Sequence, residues 1–292
     1  MIKYLKHSDI DKFKWDKCIE ESRNPLVYAC SWYLDIVSPR WEALVDADYQ
    51  TVMPLPVKKR LGLPYLVQPV FTQQLGVFSA KEITSDDIHD FLNHIPQKFF
   101  RQIFNLNSAN MLPQMAGVTD RMNFELDLNQ KYSFIYQGYN ENTQRNCKKG
   151  ISKGILVEPS NDISLFIRLY EKYAKKKPNR FTLEKLRKVI AYAIDNQKGE
   201  IVFACENANT AISGAFFLKD LGRIIYMTSF STAKGQKNSA MFLIMDEMIR
   251  KNAMKSIIFD FEGSMIPGVA RFFAGFGAEK KVYQQYRKSF RL

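Results

Sequence analysis

The chain has 292 residues, 46% of them hydrophobic and 25% charged, the composition of a folded globular protein with a substantial core. Its longest apolar runs, such as Ala215-Phe216-Phe217-Leu218, fall far short of the ~20 residues a membrane-spanning helix needs, and Met1-Ile2-Lys3-Tyr4-Leu5-Lys6 shows no apolar leader region. The net charge of +12 is uneven: residues 1–130 carry 14 basic and 16 acidic side chains, whereas 131–188 carry 14 and 5, so the surplus points to an anionic partner.

Several reaction classes are disfavoured at once. Cys18, Cys30, Cys147 and Cys205 form no C-x-x-C pair and read as reduced thiols of a cytoplasmic protein. Three histidines, His7, His89 and His94, cannot build a His-rich metal site, and no metal is expected. The sequence lacks G-x-S-x-G, G-x-x-x-x-G-K-[ST] and a post-strand G-x-G-x-x-G, the signatures of serine hydrolases, P-loop NTPases and Rossmann dehydrogenases.

In chain order, Asp9-Ile10-x-x-Phe13 heads an amphipathic run, followed by a strand at Glu42-Ala43-Leu44-Val45 and another at Thr51-Val52-Met53. Pro54, Pro56, Pro64 and Pro69 confine the strands that follow to edges or bulges. A domain boundary is expected near 128–132, giving units of 1–130 and 131–292. The second half repeats the plan of the first. Asp162-Ile163-x-x-Phe166 heads a helix with Ile163, Phe166, Ile167, Tyr170 and Ala174 on one stripe, ending at Lys175-Lys176-Lys177. Thr182 is placed to cap a second helix. Strands at 200–205, 210–218 and 222–230 follow, then a helix over 239–251 that is apolar on almost every side and must be packed between layers. A strand through Ile257-Ile258-Phe259-Asp260-Phe261-Glu262, a helix opened by Pro267 and closed by Gly277, and a strand over 280–287 complete the chain. The recurring order suggests two tandem, mixed α/β units, each a largely antiparallel sheet flanked by helices.

That order resembles the GNAT acyltransferase fold, and two copies in tandem resemble the Fem family of peptidyltransferases. The likeness rests on Arg145-Asn146-Cys147-Lys148-Lys149-Gly150, similar to the family's basic Arg-Asn-x-Lys-Lys helix, and on Phe259-Asp260-Phe261-Glu262-Gly263-Ser264 with Arg271-Phe272-Phe273 and Phe276-Gly277-Ala278. It implies transfer of an acyl or aminoacyl group to an amine, on a cell-wall (peptidoglycan) precursor or a small molecule. The donor would be acyl-CoA or aminoacyl-tRNA as a co-substrate, with no permanently bound cofactor. GNAT enzymes grip pyrophosphate with [QR]-x-x-G-x-[GA]; here the stretch is Gly235-Gln236-Lys237-Asn238-Ser239-Ala240, with Asn238 at the middle glycine, a residue that tolerates left-handed φ. Both donors therefore stay open, with Ser229, Lys234, Gly235, Lys237, Asn238, Ser239 and Ala240 as the donor-binding set.

Three further groups carry chemistry. Asp260 and Glu262 alternate onto one strand face, where a carboxylate could take an amine proton; the structural alternative has Asp260 paired with a cation and Glu262 capping the next helix. Tyr226 shares a face with Thr228 and Phe230, opposite Met227 and Ser229, and its hydroxyl could protonate a leaving group. Arg145, Lys148, Lys149 and Lys153, with Tyr132, Phe134, Tyr136 and Tyr139 nearby, would suit phosphates and stacked bases of RNA, or else form a solvated helix face. Gln68, Gln73 and Gln74 would line an acceptor groove or simply shape a turn. A reading from another class is a degenerate transferase kept as an RNA- or ligand-binding module.

Overall fold

The computed structural model describes residues 1–46, 48–174, 177–206, 210–263 and 265–289; Lys175, Lys176 and Ser264 lie outside them. The chain divides into two compact units, Met1–Met122 with the chain from Lys281 onward, and Asn123–Lys280. The last strand, grouped by sequence with the second half, thus belongs to the first.

The first unit contains β1 (Lys3–Leu5), α1 (Lys12–Glu21), α2 (Ser31–Val37), β2 (Glu42–Val45) and β3 (Thr51–Leu55). It continues with β4 (Val57–Arg60), β5 (Leu63–Val67), β6 (Phe78–Ser79), α3 (Ser85–Asn93), β7 (Arg101–Asn105) and the start of β8 (Val118–Asp127). The sheet β1-β2-β3-β6 is antiparallel. Pro54 sits inside β3, which has neighbours on both sides, but β6 pairs only with Thr51 and Val52, so the missing N–H falls beyond the shared register. Leu44, Met53, Leu66, Phe91, Phe99 and Phe104 form one buried core.

The second unit runs through α4 (Tyr132–Gln137), α5 (Glu141–Ser152), β9 (Leu156–Ser160), α6 (Ile163–Tyr173), α7 (Arg180–Asp195) and β10 (Gly199–Cys205). Then come β11 (Ala211–Asp220), β12 (Arg223–Ser231), α8 (Ala233–Lys237), α9 (Ala240–Asn252), β13 (Ile258–Asp260) and α10 (Pro267–Ala274). The chain closes with β14 (Glu279–Ser289), which returns to the first unit and pairs antiparallel with β7, Gln285 opposite Asn105. Gln284 fixes it there by exchanging two hydrogen bonds with the Leu112 backbone, at 2.8 and 3.1 Å.

Sheet order in the second unit is β8-β13-β12-β11-β10-β9, antiparallel except for β12 and β13. Side-chain oxygens of Asp162 and Asn179 cap α6 and α7; Thr182, expected to cap α7, instead lies in its first turn and donates its N–H to Asn179 at 2.9 Å. The apolar α9 packs between α5 and strands β10 and β11, as its all-round hydrophobicity requires. Gly150 of α5 permits the approach, since a Cβ there would lie 2.6 Å from Leu243 Cδ1. Asp246 inside α9 accepts hydrogen bonds from Tyr132 at 2.8 Å and Tyr139 at 3.0 Å; burial raises the pKa of all three groups. No described helix is long and apolar enough to cross a membrane.

A cluster of phenylalanines joins β13 to α10. Phe261 lies with its ring centroid 4.7 Å from Phe259, 5.4 Å from Phe273 and 5.7 Å from Phe276, and it is fully buried. Replacing Phe261 with Ala should cost about 3–5 kcal/mol in urea unfolding, the usual loss for a buried ring whose cavity cannot collapse.

Candidate functional site

Strand β12 is accompanied by β13 for only three residues. Arg223, Ile224 and Ile225 pair with Ile258, Phe259 and Asp260, after which β12 continues to Ser231 with β11 alone beside it. Backbone groups on that side of residues 226–231 are left to a neighbour other than a strand. A bulge adds to the divergence: Phe216 pairs with Thr228 and Phe217 with Tyr226, so Met227 is an extra residue. Strict alternation, which would set Tyr226 and Ser229 on opposite faces, therefore breaks, and the two hydroxyls form a hydrogen bond with each other.

A cavity of about 780 Å³ fills the opening. Tyr226, Thr228, Ser229 and Phe230 of β12 form one wall; Ser239, Met241 and Phe242 at the start of α9, and Val269, Phe272 and Phe273 of α10, form others. None of the described residues lining it is charged. Of the donor-binding set, Ser229, Gly235 and Ser239 line the cavity, whereas Lys234, Lys237, Asn238 and Ala240 do not. Lys234 is paired with Glu206 at 2.6 Å. The left-handed residue of the loop is Ser239, at φ 60°, and not Asn238, which ends α8 at φ −94°. Ser239 donates to Asn146 Oδ1 of α5 at 2.7 Å, which holds this conformation. Gly235 is required by close packing: a Cβ would lie 2.2 Å from the Ile212 carbonyl oxygen.

The tyrosine and the carboxylates meet different surroundings. Burial pushes the Tyr226 phenol up to about 12, with Ser229 opposing and the Glu262 charge adding to the shift. Asp260 is fully buried and ends β13, Glu262 lies beyond the strand, and neither lines the cavity. Asp260 Oδ2 lies 3.2 Å from Arg223 Nη1, which also reaches Glu125 Oε1 at 2.8 Å. Asp260 Oδ1 accepts the Glu262 backbone N–H at 2.9 Å, in a turn where Glu262 adopts φ 56°. Burial raises the Asp260 pKa to about 6, with Arg223 pulling it down and Glu125 pushing it up. The helix α10 has Ile266 at its N-cap, whose apolar side chain accepts no hydrogen bond, and Pro267 in its first turn. Arg223 and Glu125 escaped the sequence reading because neither belongs to a motif.

The sequence matches no protein-family model and no curated protein. Solved structures are informative. FemX superposes over 97% of this chain and 96% of its own, with a TM-score of 0.68 and 10% identity. The chain is similar to FemX in fold. The C-terminal domain of a putative lysylphosphatidylglycerol synthetase from Agrobacterium fabrum matches 94% of this chain and 91% of its own, with a TM-score of 0.55 and 8% identity. N-myristoyltransferase of Saccharomyces cerevisiae, with bound myristoyl-CoA, matches 99% of this chain and 80% of its own, with a TM-score of 0.50 and 12% identity. The Fem resemblance read from the sequence therefore holds for the mixed α/β fold.

Beside this FemX-like frame, the other predicted groups take clear positions. Thr143, Cys147 and Gly150 form the buried face of α5, which leaves Arg145, Lys148 and Lys149 on its exposed face and Lys153 exposed at its end. The aromatic residues near them divide: Phe134 is exposed, Tyr132 is partly buried with its hydroxyl bonded to Asp246, and Tyr139, bonded to the same carboxylate, is buried. In the first unit, Gln68 bonds the Asn105 N–H at 2.9 Å and the Thr72 carbonyl at 3.1 Å. Gln74 bonds the Ser108 N–H at 2.9 Å and Gln73 Oε1 at 2.7 Å, so these amides brace their own loop.

The raised pKa of Asp260 has a signed consequence. Unfolded, the carboxyl ionises near 3.8; folded, near 6. The folded chain thus holds the proton more tightly, a contribution present below the lower value and lost as pH rises through the upper one. Asp260→Asn removes this titration. Its stability relative to the parent should shift in the variant's favour by ~2 kcal/mol between about pH 4 and about pH 7, measured by denaturant unfolding at each pH.

Proposed function

We propose that this chain transfers an acyl or aminoacyl group to an amine, forming an amide in the cleft beside β12. The observation that carries the reading is the open edge of β12 over residues 226–231, facing an uncharged cavity at the start of α9. An acyl donor laid along such an edge can bond to it as an added strand does, and backbone N–H groups there can polarise the acyl carbonyl. The dipole of α9 favours an anionic part of the donor near Ser239 and Ala240.

The amine nitrogen attacks the acyl carbon, a C–N bond forms, and the bond to the donor's sulfur (acyl-CoA) or oxygen (aminoacyl-tRNA) breaks. Tyr226, kept neutral by burial, donates its proton to that leaving atom. Glu262, outside the lining but near enough for its charge to act on Tyr226, receives through a water the proton that the amine gives up. Asp260 acts through Arg223 as a positioning residue. Lys234, Lys237 and Asn238 extend the donor site, and the basic face of α5 at Arg145, Lys148, Lys149 and Lys153 receives phosphates of CoA or tRNA. The bound myristoyl-CoA of the yeast neighbour supports a CoA thioester; the Fem resemblance supports aminoacyl-tRNA, a cell-wall precursor amine as acceptor and a cytoplasmic setting. Gln68, Gln73 and Gln74 brace a loop whose backbone is offered to the acceptor.

Amide formation followed by mass spectrometry over acyl-CoAs and aminoacyl-tRNAs, with amine acceptors, tests the reading. At least one pairing should turn over. Tyr226→Phe and Glu262→Gln should each lower kcat by about 10²-fold or more with KM for the donor little changed, the scale of a lost proton-transfer group. Unchanged kcat in both variants would reduce these side chains to scaffolding. Donor binding without transfer to any acceptor would favour a binding module.

A further inference from the structure

The hairpin of β4 and β5, in the first unit, takes no part in the cleft. Its foot is anchored: Leu66 lies in the buried core with Val57 packed against it, and the Tyr65 ring meets Phe100 at 6.0 Å. Its far end is bare. Arg60 pairs with Leu63, leaving the two-residue turn Leu61-Gly62, both residues at positive φ, 50° and 81°. Turns of this hand favour Asn or Asp before the glycine, and a bulky side chain in the left-handed region is disfavoured. Leu61 is nevertheless 95% exposed, so no packing offsets the backbone cost, and Leu63 beside it is 44% exposed. The turn between β11 and β12 repeats the same pair, Leu221-Gly222, but there the leucine is partly covered.

Charge completes the pattern. Lys58, Lys59 and Arg60 lead into the apex, all three are exposed, and none forms an ion pair among the described residues. Residues 57–67 include no acidic side chain. An apolar apex behind a collar of cations matches a surface that is anionic outside and hydrocarbon just beneath. We infer that this hairpin is a reversible contact for an anionic lipid membrane, with Leu61 and Leu63 entering the acyl boundary and Lys58, Lys59 and Arg60 meeting the headgroup phosphates. Nucleic acid would engage the cations but gives a bare, strained leucine nothing to bury against. The inference stands independently of the transfer reaction.

Each cation near such a surface contributes about fivefold in affinity, and burial of one leucine about tenfold or more, so the contact is weak singly and sensitive to salt. The full chain is co-sedimented with vesicles of phosphatidylcholine alone, or of equal parts phosphatidylcholine and phosphatidylglycerol. Binding is expected to the mixed vesicles only and to fall as salt is raised. Leu61→Asn separates contact from folding, because Asn suits the left-handed turn: its Tm should hold or rise while vesicle affinity falls about tenfold. Charge reversal at Lys58, Lys59 and Arg60 together should abolish the preference for phosphatidylglycerol. Absence of binding by the parent, or undiminished binding by Leu61→Asn, overturns the inference. So does single-stranded RNA binding that survives Leu61→Asn and is lost on charge reversal, in a chain that ignores vesicles.

Discussion

The second unit depends on a pairing that stops early. Strand β13 matches β12 for three residues and then turns away at Glu262. The constraint that backbone polar groups must find partners turns this short ladder into a binding edge. Every other part of the cleft is arranged around it. The bulge at Met227 brings neighbouring hydroxyls onto one side, α9 brings its N-terminus to the gap, and the phenylalanines of β13 and α10 keep the wedge from closing.

A single guanidinium holds the hinge of that wedge. Arg223 begins β12, Asp260 ends the paired part of β13, and Glu125 lies opposite Asp260 on β8. One side chain thus ties three strands together at the level where the sheet starts to open. Burial of the Asp260 carboxyl away from water explains why it keeps its proton more readily than an ordinary aspartate, with Arg223 opposing that shift and Glu125 adding to it. The same carboxyl fixes the position of the Glu262 backbone through the hydrogen bond it accepts.

Much of the fold was legible because its signals are local. The three-strand meander, the all-apolar α9 and the proline-led α10 each follow from periodicity and end residues, and all appear within a residue or two of their expected ranges. The site was legible only in outline. Tyr226, Ser229, Gly235 and Ser239 do line the cleft, but alternation along β12 fails at a bulge that no residue type announces. The left-handed position shifted from Asn238 to Ser239 because a hydrogen bond from another helix, through Asn146, holds it. Asp260 was read with a generic cation; that the cation is Arg223, shared with Glu125, is a long-range fact. That two of the tyrosines beside the basic helix give their hydroxyls to Asp246, more than a hundred residues later, is likewise a long-range fact.

The path of β14 bears on how the chain is made. Residues 123–280 form one compact body, yet the strand that completes the first body follows them. On the ribosome, the edge of β7 that β14 will cover must wait uncovered while the whole second body is synthesised, and an uncovered edge is a template for wrong pairing. The second body is in effect an insertion within the first, so no single cut separates the two as working pieces. Exchange of either between proteins would have to respect two junctions, one in β8 and one at the start of β14.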